Sequence, residues 1–504
     1  MLLELMGEGP LYTRVYGTLR QHILEGRFPP GERLPGTRSI AEALGVSRTV
    51  VLQAYAQLEG EGYTTTRVGS GTYVVDVPPV HEAGRLDASA PSLSDDMDKP
   101  PEVPLSRLAT RMPSMLADDL PDELSGSGSG VIDLTDTAAS YDVRGLKAWR
   151  QILVRAMDSL PPDPPGPAGA RPLCEAMLEY LHHERGVVAN IEDVIIVNSA
   201  QQARNLIARV LADEQAVVGV EEPCNPGVRS AFAATGAHVL ACKVDADGLD
   251  IGMHASTLSE ARVLHVAPTC HLPSGAAMPA ARREALLAWA YARPTWIVEE
   301  DVDCDYRHGV RTMPALVSLD RHERVIYYLS GFVRTVYPAL QMSCVVVPPA
   351  LREKFLAIKE LSDRDDMALR QHAWAHYLAE GEYLRGLRRL SQQLARKHQI
   401  FMDALYRHFG TSIEVQGLAV SGQLLAHLKR LDATWMTVLR EEAMRVGLLL
   451  QSAADWFFDK PAHVTLLLHY AAVPETLLDA AVERLALAWR RALADVAQVA
   501  RRRA

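Results

Sequence analysis

Short apolar runs separated by longer amphipathic stretches constrain this chain more than any other feature of it. Strands that are apolar along their whole length are buried on both faces, and the helix-like stretches between them supply the covering layers. The pattern predicts an α/β body with a mainly parallel sheet and helices on both faces. Because ligands of such sheets bind at the carboxyl ends of the strands, the residues just after each run are candidates for function. The runs lie at residues 194–197, 216–220, 262–268, 296–301 and 324–331.

The first 77 residues follow a helical pattern instead. Leu11, Val15, Leu19 and Ile23 recur at every fourth position. This spacing predicts one apolar face on a helix that ends near Gly26.

Two further helices and a hairpin are expected in the same region. Thr37 is placed to cap a second helix that has Gly45 just beyond its end, and Ser47 can cap a third helix. Residues with high strand propensity on either side of the Gly-Ser-Gly tip at 69–71 predict a hairpin. Three helices and a two-stranded wing make a winged helix-turn-helix, which we assign to residues 1–77.

The charge distribution excludes a protein that coats nucleic acid or an anionic membrane by bulk charge, because the formal net charge is −10. Residues 12–72 differ from the rest of the chain, because they contain seven arginines and five acidic residues and so have a net charge of +2. A third helix that reaches base edges, with further arginines at the phosphates, would suit duplex DNA. The alternative is that these arginines are solvated surface charges on a small helical domain. The residues predicted to contact DNA are Arg38, Ser47, Arg48, Thr49, Gln53, Arg67, Gly69, Ser70 and Gly71.

Two stretches of this region carry a family likeness, namely LPGTRSIAEALGVSRTVVLQAYAQLEGEGY and VGSGTYV. In order and spacing they closely resemble the DNA-binding domain of the GntR family of bacterial repressors and activators, over about residues 11–75. The resemblance implies double-stranded operator DNA as a partner. It also implies that Arg38, Arg48, Thr49 and the wing at 69–71 contact that DNA.

The winged helix-turn-helix of residues 1–77 is called the head below. A segment of different composition, residues 78–130, follows it. It holds eight prolines, ten acidic residues and only four basic ones, and it ends in SGSGSG. Such a stretch cannot bury a core and predicts a partly extended linker. The body is accordingly assigned to residues 131–504.

Six motifs in the body carry a second likeness: RGV, QQA, EEPCNPG, PTCHLPSG, EEDVDCDYR and GFVRTVYPALQ. They resemble the large domain of MocR-type regulators, a GntR subfamily whose large domain is similar to fold-type-I, pyridoxal-phosphate-dependent aminotransferases. The resemblance runs from about residue 131 to 490. It implies a small C-terminal α+β subdomain, and it implies a homodimer formed through the body.

The residues that would hold pyridoxal phosphate (PLP) are largely replaced. PLP chemistry needs a Lys amine for the Schiff base and a carboxylate at the pyridine nitrogen. By the resemblance, Arg334 stands where the family has Lys, and a guanidinium stays protonated and cannot form the Schiff base. Glu300 stands where the family has Asp. Other family groups, which are a hydroxyl, a Tyr, a phenol and two arginines, are replaced by Ala200, Asn225, Val302, Gln341 and Leu467.

These replacements predict a catalytically inactive body that carries no covalent PLP and senses an unidentified small molecule or ion. Arg334 could hold an anionic effector through its bidentate fork. The alternative is a PLP-binding regulator or an aminotransferase that uses a neighbouring lysine, Lys354 or Lys359, although both lie on a helix expected at the surface. The predicted effector pocket comprises Ser199, Ala200, Cys224, Asn225, Cys270, His271, Glu300, Val302, Cys304, Arg334 and Gln341.

Three cysteines leave a further alternative open. Cys224, Cys270 and Cys304 each follow a separate apolar run, and His271 is adjacent to one of them. Such residues could bind a thiophilic metal or form a redox pair, but no Cys-x-x-Cys spacing is present and free Cys commonly packs as a small apolar residue. Six Cys in 504 residues, and a start without a basic segment before an apolar one, predict a cytoplasmic protein.

Overall fold

The computed structural model describes residues 5, 9–67, 69–75, 106–111, 130–136, 143–302, 313–330, 340–363, 367–417 and 422–503. Its contacts divide the chain into two compact units, residues 1–104 and 105–504. Cys304, Arg334 and most of the predicted linker 78–130 lie outside the described residues.

The N-terminal unit is the predicted winged helix. Its core is formed by buried side chains that include Val15, Leu19, Val51 and Leu58. Leu11 was expected on the same apolar face but is 49% exposed. The first turn of its helix carries no buried residue, so the buried face begins one turn later, at Val15. The elements are α1 (Leu11–Leu24), α2 (Thr37–Leu44), α3 (Arg48–Gly60), β1 (Thr64–Arg67) and β2 (Gly71–Val74).

Three helix caps were predicted in this unit, and two of them are present in the structure. Ser47 caps α3, since its side chain accepts a hydrogen bond from the Val50 amide, and Gly45 ends α2 with a left-handed φ of 63°. Both were predicted. The prediction for Thr37 was wrong, because Gly36 is the N-cap of α2, without a side-chain bond, and Thr37 is the first helical residue.

The C-terminal unit contains all other described elements. Its helices are α4 (Arg107–Arg111), α5 (Val143–Asp158), α6 (Arg171–Arg185), α7 (Ala200–Leu211), α8 (Pro226–Ala234), α9 (Ile251–His254), α10 (Ala280–Tyr291), α11 (Arg352–Glu360), α12 (Ala368–Ala379), α13 (Glu382–Phe409), α14 (Met436–Arg445) and α15 (Leu478–Arg503). Its strands are β3 (Ile132–Asp133), β4 (Val194–Val197), β5 (Val217–Glu222), β6 (His238–Asp245), β7 (Gly248–Leu249), β8 (Ala261–Val266), β9 (Trp296–Val302), β10 (Val325–Ser330), β11 (Ser343–Val346), β12 (Ile413–Gln416), β13 (Gln423–Asp432), β14 (Leu448–Leu449), β15 (Gln451–Ser452) and β16 (His463–His469).

The eight-stranded sheet of this unit is mainly parallel, as the apolar runs predicted. Its strand order is β4-β11-β10-β9-β8-β5-β6-β7, and the five runs form β4, β5, β8, β9 and β10. Alternate residues of β4 belong to opposite layers of the core, Val194 and Ile196 to one and Ile195 and Val197 to the other. Both faces of the strand are therefore covered by helices, which explains a run without polar residues.

Two strands of the large sheet run against the others. β11 is antiparallel to both β4 and β10, and β7 is antiparallel to β6. A second, four-stranded antiparallel sheet has the order β12-β13-β16-β15. It shares a core with α13, α14 and α15, so the expected C-terminal α+β subdomain is present. Among the helices of the described residues, none is long and apolar enough to cross a membrane.

Candidate functional site

A cavity of about 180 Å³ opens where the carboxyl ends of the parallel strands meet the C-terminal subdomain. Residues in or just after four strands form one wall: β5 supplies Glu221, β8 leads to Ala267, β9 supplies Glu300 and β10 ends at Ser330. The opposite wall comes from β13, β15 and β16 and consists of Gln423, Gln451, Leu467 and His469. Arg204, Cys224, Asn225, Val228, His265, His271, Leu272, Val302 and Trp456 complete the lining.

A buried ion pair occupies one side of the cavity. Arg204 of α7 lies with its Nη2 2.5 Å from Glu300 Oε1, and both side chains are more than 90% buried. The Arg204 Nε donates to the Tyr328 hydroxyl at 3.1 Å, and His265 Nε2 lies 2.8 Å from the same oxygen.

The electrostatics of this pair are set by its contacts more than by its burial. Burial alone would raise the pKa of Glu300, but the charge of Arg204 and the contact with His265 outweigh it and lower that pKa. Burial lowers the pKa of His265 to about 4. Glu300 is therefore ionised at neutral pH and bound to a guanidinium, beside a neutral imidazole.

A second group of lining side chains carries buried polar atoms that have no hydrogen-bond partner. Glu221 Oε2 accepts a hydrogen bond from the Ala267 amide at 2.7 Å, but Glu221 Oε1 has none. His271 Nε2 lies 3.8 Å from Glu221 Oε2, which is too long for a hydrogen bond, and Gln423 Nε2 is also unpaired. Burial raises the pKa of Glu221 to about 8 and lowers that of His271 to about 4.

The predicted pocket residues divide into three sets. Cys224, Asn225, His271, Glu300 and Val302 line this cavity. Asn225 has a local role as well, since its side chain accepts from the Gly227 amide at the start of α8. The residues that do not line it are Ser199, Ala200, Cys270 and Gln341, and those outside the described residues are Cys304 and Arg334.

The structure shows where two of the four non-lining residues lie. Ser199 caps α7 through a hydrogen bond from the Gln202 amide, and Gln341 is exposed. The hydroxyl of Ser199 thus stabilises the helix that presents Arg204.

The alternative lysines do not line the cavity either. Lys354 is exposed on α11, as expected. Lys359 was expected at the surface and is instead buried, with its Nζ 3.5 Å from Asp363 Oδ2. The carboxylate partner allows this long side chain to lie inside the fold.

The thiols show no sign of a metal centre in the described part of the chain. No three His, Cys, Asp or Glu side chains within it are grouped so as to hold a metal ion. Burial raises the pKa of the Cys224 thiol to about 12, so this thiol is protonated at neutral pH and is a poor ligand and nucleophile.

Sequence reasoning missed several lining residues, of which Arg204 and His265 did leave a signal. Arg204 lies on the stripe of α7 that also holds Ile207, Ala208 and Leu211, where a charged residue needs a buried partner. His265 interrupts the apolar run that became β8. Gln423 belongs to a strand of the C-terminal subdomain, and no local pattern connects it with the large sheet.

The head presents the residues predicted to contact DNA. All of them are exposed except Gly71, which is half-buried. Arg48 Nε donates to Thr37 Oγ1 at 3.3 Å and so joins the N-terminal turns of α2 and α3. At the wing, the Arg67 guanidinium lies 4.8 Å from the centre of the Tyr73 ring, and Ser70 Oγ lies 2.6 Å from the Tyr73 hydroxyl.

A winged helix joined to an aminotransferase-type α/β body defines a class of DNA-binding transcription regulators. The model of the family described as bacterial regulatory proteins, gntR family, matches residues 11–74. The probable rhizopine catabolism regulatory protein MocR of Rhizobium meliloti is 31% identical over 483 residues, which cover 95% of this chain and 93% of that protein. The pyridoxine biosynthesis transcriptional regulator PdxR of Corynebacterium glutamicum is 28% identical over 393 residues, 78% of each protein. The chain belongs to the MocR-type GntR transcription regulators.

Solved structures similar to the body are aminotransferases. A kynurenine aminotransferase of Pyrococcus horikoshii superposes with a TM-score of 0.69 at 20% identity, covering 77% of this chain and 97% of that one. An α-aminoadipate aminotransferase of Thermus thermophilus has a TM-score of 0.67 at 23% identity, with 77% and 98% covered. The body therefore has the fold-type-I aminotransferase fold.

Proposed function

We propose that this protein is a cytoplasmic transcription regulator that binds operator DNA as a homodimer and whose body is not an enzyme. In this proposal the body forms no Schiff base with PLP, dimerises, and senses an effector in the cavity described above. The observation that carries the proposal is the buried ion pair between Arg204 and Glu300.

The ion pair conflicts with the chemistry of the family cofactor. By the family resemblance, Glu300 stands at the position of the carboxylate that would face the pyridine nitrogen of PLP, yet its charge is already neutralised by a guanidinium at 2.5 Å. The guanidinium bonds one oxygen of that carboxylate, so a pyridinium nitrogen at the other oxygen would meet a charge that Arg204 already compensates and would be stabilised less by it. This arrangement therefore supports a body that does not use the family cofactor.

The sequence supports the same conclusion at other positions. Arg334 replaces the Schiff-base Lys, and its guanidinium has no free lone pair at physiological pH. Val302 and Leu467 line the cavity where the resemblance expects a phenol and an arginine. No hydrogen bond to the cofactor or the substrate can come from either aliphatic side chain.

The test is incubation of the full chain with PLP, followed by absorption spectroscopy, borohydride reduction and a transaminase assay. We expect no yellow adduct and no activity, whereas an authentic aminotransferase treated in parallel gives both. Arg334→Lys alone should restore little, because Arg204 still neutralises Glu300. A borohydride-reducible adduct mapped to any pocket residue of the wild type would refute the proposal.

The role of the head rests on the exposed arginines at the start of α2 and α3. An arginine at the N-terminal turn of a recognition helix can bind guanine O6 and N7, whereas one at the phosphates only positions the protein. In gel-shift titrations Arg48→Ala should cost about 1–3 kcal/mol at the operator and relax base preference, and Arg38→Ala should weaken all sequences more evenly. Arg27→Ala, at an exposed head arginine outside the predicted contacts, is the matched control. Unchanged affinity of the first two variants would contradict the assignment.

A further inference from the structure

The wing of the head contains a third segment beside its two strands. Residues 31–34 run antiparallel to β2, and the Leu34 amide donates to the Thr72 carbonyl at 2.8 Å. This segment places Arg33 directly opposite Tyr73. Because side chains that are opposite each other in a sheet extend from the same face, Arg33 and Tyr73 share one face of the wing.

Two arginines lie on this face, on either side of a glycine. Gly71 is two residues before Tyr73 on β2 and so belongs to the same face, and Arg67 is opposite Gly71 on β1. A Cβ built on Gly71 would lie 2.5 Å from Arg33 Nε, so the Arg33 side chain lies directly against the glycine backbone. The Arg67 guanidinium lies 4.8 Å from the centre of the Tyr73 ring. Position 71 has no side chain, and Arg33 occupies the space that one would need.

The two guanidinium groups are left available for a ligand. Both arginines are exposed, and neither makes a hydrogen bond or an ion pair with a described residue. Glu59 is engaged elsewhere, since it accepts from the amide and the hydroxyl of Thr66, which alternates with Arg67 onto the opposite face. The exposed face of the wing therefore presents two positive charges, each with five N–H donors.

The minor groove of DNA has the complementary chemistry. In B-DNA it is about 6 Å wide and presents only acceptors at A·T pairs, A N3 and T O2, whereas a G·C pair adds the donor G N2. A guanidinium has only donors, so it is matched by A·T pairs and opposed by the amino group of guanine. A·T-rich stretches also have a narrower groove with a stronger negative potential, which attracts arginine. Because Arg33 is already held against the wing, it loses less conformational freedom on binding.

We propose that the exposed face of the wing binds a minor groove next to the bases read by α3, and that Arg33 makes the protein prefer A·T pairs there. The inference rests on the proposed function, the binding of operator DNA. It adds a specificity-determining residue that lies outside the wing hairpin and outside the DNA contacts predicted from the sequence.

The first experiment selects binding sequences for the full chain from a library of random DNA duplexes. We expect the wild type and Arg33→Ala to enrich the same core sequence, and the wild type alone to enrich A·T pairs beside it. Arg27→Ala is the matched control, because Arg27 is an exposed arginine of the same head that is already paired with Glu25, and it should select as the wild type does. Equal A·T enrichment by the wild type and Arg33→Ala would overturn the proposal, and so would a wild type without such enrichment.

Inosine then separates reading of the minor groove from reading of the major groove. An inosine·cytosine pair lacks the guanine amino group and resembles A·T in the minor groove, but it keeps the major-groove edge of G·C. The selected duplex is prepared with A·T, inosine·cytosine or G·C flanks and compared in gel-shift titrations. The wild type should bind the first two on the order of tenfold more tightly than the third, and Arg33→Ala should bind all three nearly equally. Inosine flanks that bind as weakly as G·C flanks would refute a minor-groove contact.

Two further measurements keep the outcomes distinct. Hydrogen exchange of peptides from residues 11–74 shows whether the head of Arg33→Ala is folded as in the wild type. If it is not, Arg33→Gln gives the same comparison with a longer uncharged side chain. A wild type that enriches no sequence at all would reject the proposed function, whereas core enrichment without flanking A·T preference would leave that function standing and reject the role of Arg33.

Discussion

Individual buried charges in the body depend on specific partners for their stability. Arg204 and Glu300 share a desolvated position, and each would be left as an uncompensated charge if the other were removed. Glu221 is in the opposite position, since it is buried without a described cation and keeps its proton at neutral pH. These two carboxylates, both facing one cavity, should therefore respond in opposite ways to substitution.

Removing the guanidinium should destabilise the body strongly. Arg204→Met preserves much of the volume but leaves Glu300 buried without its cation, at a cost of about 3–5 kcal/mol in the free energy of unfolding. Urea unfolding followed by Trp fluorescence measures this in the body alone, because all seven Trp lie beyond residue 148. The double variant with Glu300→Met should recover most of the loss.

A surface ion pair supplies the control for this measurement. Arg282 binds Asp245 at 2.6 Å, but the Asp245 side chain is 53% exposed, so Arg282→Met should cost no more than about 1 kcal/mol. Equal losses in Arg204→Met and Arg282→Met would show that the Arg204–Glu300 pair has no special importance.

Removing the unpaired carboxylate should stabilise the body, and increasingly so at alkaline pH. The pKa of Glu221 is raised from 4.5 to about 8 in the folded protein, so between these values the unfolded chain releases a proton that the folded chain keeps. Stability from this residue therefore falls as pH rises through the window. Glu221→Gln abolishes the effect and should gain on the order of a few kcal/mol at pH 8.5 relative to pH 5. A difference between variant and wild type that does not change with pH would contradict the assignment.

At the scale of elements, the wing depends on a glycine at the start of β2. Gly71 has a φ of +125°, and a Cβ there would lie 2.5 Å from Arg33 Nε. Gly71→Ala should therefore destabilise the wing by about 1–3 kcal/mol, because a side chain strains this backbone even if Arg33 moves away. Hydrogen exchange of peptides from residues 11–74 in the full chain reports the effect, since the head contains no Trp.

Gly17 offers the matched substitution in the same unit. It lies in α1, and nothing is within 4 Å of a Cβ built there. Gly17→Ala should slow exchange, because alanine favours a helix over glycine by about 1 kcal/mol. Faster exchange in both variants would mean that the head does not tolerate either change and that the wing conformation is not the reason.

The elements show where sequence patterns succeed. All five apolar runs are strands of the large sheet, because a strand buried on both faces has to be apolar throughout. β11 is not one of those runs, and nothing in its four residues marks its antiparallel direction between β4 and β10. The predicted apolar face of α1 began one turn too early, at Leu11, because periodicity does not mark where a helix leaves the core. The predicted N-cap of α2, Thr37, was one residue too late, because helix boundaries are uncertain by about that much.

The candidate site was predictable only in part, for a related reason. Residues that follow a strand, such as Asn225 and His271, were expected at the sheet edge and line the cavity there. Gln423 and His469 come from a subdomain more than 150 residues later in the chain than β5, and a tertiary contact of that range has no local signature. Arg204 was overlooked because its partner, Glu300, lies 96 residues away.

At the scale of the whole molecule, two heads in one dimer should bind DNA far more tightly than one. A single head with a net charge of +2 in its core segment would contact few phosphates, whereas a linked second head would act at a high effective concentration. Residues 1–80 alone should therefore bind the operator at least about tenfold more weakly than the full chain. Fusion of the same fragment to a leucine-zipper dimer should restore much of the affinity. Equal affinity of the isolated head and the full chain would refute a role for dimerisation.

The Arg204–Glu300 pair also has an evolutionary consequence. If the body is the non-enzyme proposed above, a lineage that acquired Lys at position 334 would still hold a carboxylate neutralised by Arg204, and losing either partner first would pass through a protein weakened by several kcal/mol. With typical total stabilities of about 5–15 kcal/mol, such intermediates are selected against. Under that proposal the ion pair would act as a ratchet, because the body could not become an enzyme by single substitutions without passing through a destabilised protein.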